Sequence, residues 1–326
     1  MTTNKIYFVI FIIICLSFCN LTLNILKLSN IKNVTSQGLD IRKYIGLNNV
    51  KYKKFSGKDI TVAIIDSGIS LHNDINVDRI KVFKDFINYK ESAYDDYGHG
   101  TAIAGIIGAN GQLKGIAPNV DFVIVKTLDS DGKADRDTLC KAIDWVKDNM
   151  EIYNVKVVNI SAGVIPFPNF SNDPLTSSID KLKEKGVIVV CSAGNNGPYK
   201  KSILSPGNNP KVITVGSCKN NKTYSYLDDY ITQFSSRGDF ANGLCKPDIV
   251  TMGVDIYSLD FKDKNGYSIH SGTSYSTGIV TGVIAILLEK YQNSQISYIE
   301  KLIKSNTFEF YSTSVDSQGK GALKLK

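Results

Sequence analysis

Past residue 57 the chain switches regularly between two hydrophobic patterns. Ile60 to Ile65 is a nearly continuous, β-branched apolar run, as expected of a strand covered on both faces. Similar runs recur at Phe122 to Val125, Val155 to Ile160, Val187 to Val190 and Val212 to Val215. Between them the period changes. Leu139, Ala142, Ile143 and Val146 fall on one helical stripe, which predicts a helix over roughly 135–150. Leu175, Ile179 and Leu182 mark another, with Gly186 as its C-terminal stop. Residues 273–289 are small and apolar nearly all round, the pattern of a helix buried within a domain. Strand, helix and strand in repetition imply parallel pairing through right-handed crossovers. The expected architecture is therefore one doubly wound α/β domain, with a mainly parallel sheet and helices on both faces. Its ligand crevice should lie beyond the carboxyl ends of the strands.

The first residues follow neither pattern. Lys5 precedes an almost wholly apolar run from Ile6 to Phe18, the arrangement of a secretory signal. Leu21, Leu23, Ile25 and Leu26 prolong that character, so a membrane anchor ending near Leu28 is the competing reading, with a buried core helix as a third. Either of the first two puts the protein outside the cytoplasm, secreted or anchored at the outer face of the membrane. The expected organisation is a leader at 1–28, a short polar extension at 29–56 and one catalytic-sized domain at 57–326.

Composition narrows the classes. With 43% hydrophobic and 21% charged residues, the 326-residue chain is ordinary for a globular protein. A net charge of +7 is spread over small lysine clusters, and the arginines are only Arg42, Arg79, Arg136 and Arg237. Without a basic stripe, a nucleic-acid partner is not expected. The six cysteines form no metal-ligand spacing, and Cys191 sits inside a strand-like run as a buried thiol would. The three histidines, His72, His99 and His270, likewise lack the spacing of a zinc site.

Three segments bring chemistry to strand ends and helix starts. Asp66 ends the first apolar run and is followed by Ser67-Gly68. His99 lies between Gly98 and Gly100, ahead of a small, apolar stretch. Ser274 stands in Ser271-Gly272-Thr273-Ser274, where a loop enters the buried helix and backbone amides can stabilise an oxyanion. Each has an ordinary alternative: an aspartate can cap a turn, a lone histidine is more often structural, and a serine can be an N-cap. Ser271 or Thr273 is available for the cap instead.

Together these motifs resemble the subtilase family of serine proteases. The order Asp, His, Ser and the settings D-S-G, G-H-G-T and S-G-T-S all match. So do Val158 to Gly163, Ser192 to Gly197, Ser205-Pro206-Gly207, Phe234 to Gly238 and Lys246-Pro247-Asp248. The phrase from Ser205 through Gly216 looks closest to bacterial subtilases of the AprX-like kind. The resemblance implies a serine endopeptidase with a triad of Asp66, His99 and Ser274, an acyl-enzyme intermediate, and Asn195 in the oxyanion hole. It implies a polypeptide substrate held extended against Ser161, Ala162 and Gly163. The first pocket would be walled by Ser192, Ala193 and Gly194 and closed by Leu204. The stretch from Val164 to Asp173 is either a neighbouring subsite or a loop pinned by its prolines.

The pattern also departs from the family. Tyr275, Ser276, Thr277 and Gly278 follow the serine where methionine, alanine, threonine or alanine, and proline are usual, and Tyr275 needs extra room. Ala102 replaces a common histidine. No cofactor is required for the chemistry. Structural calcium near Asp74, Asp95, Asp96, Asp228 or Asp229 lacks a complete ligand loop. A monomer is expected. The rival readings are a catalytically inactive subtilase-fold binding protein, a membrane-tethered protein and, within the enzymes, a narrow precursor-processing protease.

Overall fold

The computed structural model describes residues 39–238 and 245–326, with 32–33 and 35–36 as short strand segments. The apolar leader, with its signal and anchor readings, lies outside the described residues. Among the described residues no helix is long and apolar enough to cross a membrane.

The five apolar runs become strands of one sheet, joined by two strands the pattern did not mark, Ile80–Asp85 and Ile249–Met252. They are β1 (Thr61–Asp66), β2 (Ile80–Asp85), β3 (Asp121–Lys126), β4 (Val155–Ile160), β5 (Ile188–Ser192), β6 (Ile213–Lys219) and β7 (Ile249–Met252). They lie in the order β7-β6-β5-β4-β1-β3-β2 and pair in parallel. Alternate residues feed two separate cores. On one face Val62, Ile64, Phe122, Ile124 and Val157 pack with Ile103 and Ile279. On the other Ala63, Ile65, Val123, Val125 and Val158 pack with Leu139, Ile143, Leu175 and Ile179. Burial on both faces is why these strands read as unbroken hydrophobic stretches.

Four helices cover the sheet. On the first face lie α1 (His99–Gly108) and α4 (Thr273–Lys290), and on the second α2 (Arg136–Asn149) and α3 (Pro174–Glu184). Asp135 caps α2 through the Thr138 amide and Asp173 caps α3 through the Leu175 amide, so both expected helices start on carboxylates. In α4 every residue from Thr273 to Leu287 is buried. Its polar side chains are satisfied internally: Ser276 Oγ donates to the carbonyls of Thr251 and Met252, each at 3.1 Å, and Thr277 Oγ1 to that of Thr273 at 2.8 Å.

The strand order reverses beside β1. Strands β2 and β3 lie on one side of it and β4 to β7 on the other. A crevice therefore opens beyond the carboxyl ends of β1 and β4, where Asp66 and Ser161 lie.

Residues 39–56, expected as an extension ahead of the domain, pack into it. Leu39, Ile41, Ile45 and Leu47 are buried in the first core. Arg42 donates to the Ile116 carbonyl, and the Tyr226 hydroxyl to the carbonyls of Tyr44 and Leu323 at 2.9 and 3.0 Å. The end of this segment is held by α4. Glu289 accepts the amides of Ser56 and Gly57, each at 2.6 Å, and of Lys58 at 3.2 Å. Replacing Glu289 by Ala should lower stability by about 1.5–3 kcal/mol, the range for hydrogen bonds to a charged group. Thermal unfolding would show this as a fall of roughly 2–4 °C per kcal/mol, with Glu289→Gln losing less.

Candidate active site

Asp66 is completely buried at the end of β1. Its Oδ1 accepts the Ser67 amide at 2.7 Å, and His99 Nδ1 lies 2.8 Å from Oδ1 and 3.0 Å from Oδ2. A carboxylate acceptor puts the imidazole proton on Nδ1 and leaves Nε2 as the basic nitrogen. Burial alone would lower the His99 pKa, but the charge and hydrogen bond of Asp66, with Asp95 beyond, raise it above the ordinary 6.5.

The two loops that carry this pair are stitched together. The Gly100 amide donates to Ser67 Oγ at 2.8 Å, and the Ser70 amide to Thr101 Oγ1 at 2.9 Å. A side chain at Gly100 would collide with the Gly68 carbonyl, and Gly98 adopts φ +96 directly before the histidine. Both glycines of G-H-G thus have steric reasons. Gly98 occupies the N-cap position without a side chain, and Asp95 does the capping. It accepts Gly98 and Tyr97 amides on Oδ1 and the Thr101 amide and hydroxyl on Oδ2, at 2.6–3.1 Å. Asp95 was missed as an organiser of the histidine loop; its position three residues before Gly98 was the available signal.

Ser274 lies in the first turn of α4. Its hydroxyl donates to the Ser161 carbonyl at 3.2 Å. Neither Ser271 nor Thr273 caps this helix. Ser271 Oγ instead accepts the Asp255 amide at 3.0 Å, and Thr273 Oγ1 donates to Asn195 Oδ1 at 3.0 Å. The cap comes from Asn195 itself, whose Oδ1 also accepts the Thr273 amide at 3.0 Å. With its oxygen held, the carboxamide of Asn195 has its NH₂ group left to donate.

A cleft of 510 Å³ gathers these groups. It is lined by His99, Ser274 and Asn195, by Ser161 to Gly163, and by Ser192, Gly194 and Leu204. Of the expected wall, Ala193 is buried behind the cleft. Leu204 stands between the two glycine segments. A Cβ at Gly163 would lie 2.8 Å from its Cβ, and one at Gly194 2.8 Å from its Cγ. Ser161 is fixed from the core: Asn159 Nδ2 donates to Ser161 Oγ at 2.8 Å, and Thr281 of α4 donates to Asn159 Oδ1 at 2.9 Å. This buried chain ties the strand bearing Ser161 to the helix bearing Ser274.

The stretch 164–173 is pinned away from the cleft lining. Arg136 of α2 bonds Asp173 and the Ile165 carbonyl and lies 4.6 Å from the Phe167 ring centre. Tyr275 finds its room between two imidazoles. Its buried ring stacks on His270 at 5.0 Å and tilts against His99 at 5.3 Å. Ala102 is buried, and its carbonyl accepts Ser258 Oγ at 2.6 Å.

The acidic residues considered for calcium have other partners. Asp74 accepts the Gln112 and Leu113 amides and the Tyr267 hydroxyl, at 2.7–2.9 Å. Asp96 pairs with buried Lys126 at 2.6 Å, Asp228 with Thr223, and Asp229 with Tyr44 and Asn220. Among the described residues no group of three or more His, Cys, Asp or Glu could hold a metal ion. Cys140, Cys191, Cys218 and Cys245 are free thiols.

A buried Asp–His pair and a helix-borne serine at the carboxyl edge of a doubly wound sheet define a protein of the subtilisin kind. The chain belongs to the subtilase family, whose description matches residues 57–322. It is 33% identical over 290 residues to serine protease AprX of Bacillus subtilis (strain 168), covering 82% of this chain and 65% of that protein. It is 31% identical over 275 residues to the minor extracellular protease Epr of the same organism, covering 83% of this chain. The chain thus spans just under two thirds of AprX and 38% of Epr. Among solved structures, the S41 psychrophilic protease superposes with a TM-score of 0.75 at 25% identity, covering 88% of this chain and 97% of that one.

The two imidazoles flanking Tyr275 should titrate far apart. Burial, then the charge of His99, pushes His270 down to about 4, while His99 is raised. An NMR titration of the ring protons should find His270 neutral down to about pH 4 and His99 still protonated above pH 6.5.

Proposed function

We propose that this chain is a serine endopeptidase that hydrolyses peptide bonds through an acyl-enzyme, with Asp66, His99 and Ser274 as its triad. The observation that carries this reading is the 2.8 Å contact between His99 Nδ1 and buried Asp66 in a cleft shared with Ser274 and Asn195.

In this reading Ser274 turns about its Cα–Cβ bond from the Ser161 carbonyl toward His99. A serine hydroxyl is a poor nucleophile until a base takes its proton. Nε2 takes it as Oγ bonds to the substrate carbonyl carbon, and Asp66 stabilises the imidazolium that forms. Negative charge develops on the carbonyl oxygen, where the Asn195 NH₂ group and the Ser274 amide donate. As the tetrahedral species collapses, the imidazolium gives its proton to the departing amine. Water then repeats the sequence on the acyl-enzyme. Because the base must be neutral, activity rises with pH through the raised His99 pKa and is lost below it.

Substrate lies extended and pairs with the backbone at Ser161, Ala162 and Gly163, the strand-addition mode. The side chain before the cut bond enters the space between Ala162-Gly163 and Ser192 to Gly194. Leu204 shortens that pocket and so favours a medium-sized apolar group. No cofactor is needed for these steps. One chain supplies every group, consistent with a monomer. The apolar run at 6–18 and the extracellular designation of Epr support export.

A fluorophosphonate should label the folded protein at Ser274 and fail to label Ser274→Ala. Absence of label on folded wild-type protein would favour the inactive, binding-protein reading. Replacing Asn195 by Ala should lower kcat by about 100- to 1,000-fold with a smaller change in KM. Turnover at the wild-type rate would remove Asn195 from the oxyanion hole.

A further inference from the structure

Lys126, the last residue of β3, is completely buried. It follows the apolar run Phe122 to Val125, a place where a lysine ordinarily turns to water. Here it lies level with Asp66 of β1 in the parallel register. A buried ammonium is strongly penalised unless its donors are matched.

All three of its N–H donors are matched, and each goes to a different part of the site. Nζ donates to the Ser67 carbonyl at 2.7 Å, to Asp96 Oδ1 at 2.6 Å and to the Leu128 carbonyl at 2.8 Å. Ser67 follows Asp66, and its hydroxyl accepts the Gly100 amide. Asp96 belongs to the histidine loop, three residues before His99 and next to Asp95, which caps α1. Leu128 lines the cleft, and its amide donates to the Asp66 carbonyl at 3.2 Å. The ring centre of Tyr94, at the start of the histidine loop, lies 5.0 Å from Nζ.

An ammonium suits this position. It is compact, and its charge retains the one acceptor with access to water. That acceptor is Asp96, whose side chain is 33% exposed while that of Lys126 is 0%. The two carbonyls belong to backbone already fixed at the ends of β1 and β3. The Asp96 bond is therefore the adjustable one, and it sets how far the histidine loop stands from the end of β1. The 2.8 Å contact between Asp66 and His99 depends on that spacing.

Building on the endopeptidase reading, we propose that Lys126 is a positioning residue. Its ammonium clamps the end of β1, the histidine loop and the cleft wall at Leu128, and so holds Asp66 and His99 together for proton transfer. Lys126 itself does not line the cleft. A lysine that only stabilised the fold would change how much protein folds and leave the folded fraction fully active.

The test uses the full chain, a peptide substrate and the variants Lys126→Met, Asp96→Ala and Asp96→Asn, with rates referred to the folded fraction measured by circular dichroism. Lys126→Met keeps most of the apolar stem and removes the donors. Its kcat should fall about 10- to 100-fold, since an ångström of misplacement can cost about 100-fold. Its KM should rise several-fold, because the Leu128 carbonyl is released. Asp96→Ala should lower kcat with KM near the wild-type value. Asp96→Asn, whose side-chain oxygen still accepts from Nζ, should lose less.

The pH profile of Lys126→Met separates position from charge. The charged and titratable groups facing His99 are Asp66 on β1, Asp95 on its own loop, and Tyr97, Tyr275 and His270. Asp66 raises the His99 pKa, so a slackened contact moves the acid limb of kcat/KM to lower pH. Loss of a nearby positive charge alone would move it to higher pH. The downward shift is expected. A folded Lys126→Met with wild-type kcat, or with its acid limb unmoved or moved upward, would overturn the clamp. If Lys126→Met does not fold, Asp96→Ala decides, and wild-type kcat in that variant overturns the clamp. Wild-type protein that neither cleaves peptides nor takes a fluorophosphonate label would bring down the endopeptidase reading instead, a result distinguishable from the others.

Discussion

The organisation of the site depends on one buried carboxylate. Asp66 sits at the end of the central strand with no exposure, and its principal charge partner is an imidazole. An isolated carboxylate in such a place would be strongly penalised. It is tolerated because the Ser67 amide and His99 Nδ1 converge on it, and that convergence demands a fixed histidine loop. The remaining loop contacts follow from this demand. Ser67 holds Gly100, Asp95 holds the first turn of α1, and Gly68 lies too close to Gly100 for any side chain. The same contacts that satisfy Asp66 set the tautomer and orientation of His99.

A second constraint fixes the Ser274 side of the cleft. Helix α4 runs through the first core, so its serines and threonines beyond Ser274, which lines the cleft, must find partners inside the protein. Thr281 bonds Asn159, Asn159 bonds Ser161, and Ser161 presents its carbonyl to Ser274. A fully satisfied buried network of this kind specifies one arrangement, since a slip of strand against helix would orphan several polar groups together. Asn195 closes the frame. Accepting two bonds from Thr273, it caps α4 while lining the cleft beside Ser274.

The parts legible in sequence were those whose physics is local. β1 and β3 to β6 read as apolar runs because both their faces are buried, and α2 and α3 read as helices from one stripe and an aspartate cap. β2 was not read, since its residues are mostly half-exposed at the edge of the parallel set. The burial of residues 39–56 was not read either. Their buried Leu39, Ile41, Ile45 and Leu47 are interspersed with Arg42, Lys43 and later lysines, and a single helical turn leaves no period to detect. The motif residues Asp66, His99, Ser274 and Asn195 were named because their order and glycine-rich settings together resemble a known family. What the sequence hid was who holds them. Capping of α4 by Asn195, and of the histidine loop by Asp95, depends on contacts made only when distant segments meet.

Tyr275 shows how a departure from a family pattern is accommodated. A larger ring beside Ser274 would clash in a site packed for a slimmer side chain. Here it lies flat on His270, whose own nitrogens are engaged by Ser268 and by the tyrosine hydroxyl. The ring thereby stays beside His99 and lines the cleft without displacing it. The larger ring leaves the Asp66–His99 contact and the Asn195 cap intact. Two adjacent residues are thus held in different ways, Ser274 by the Ser161 carbonyl and the buried network behind it, Tyr275 by the rings of His270 and His99.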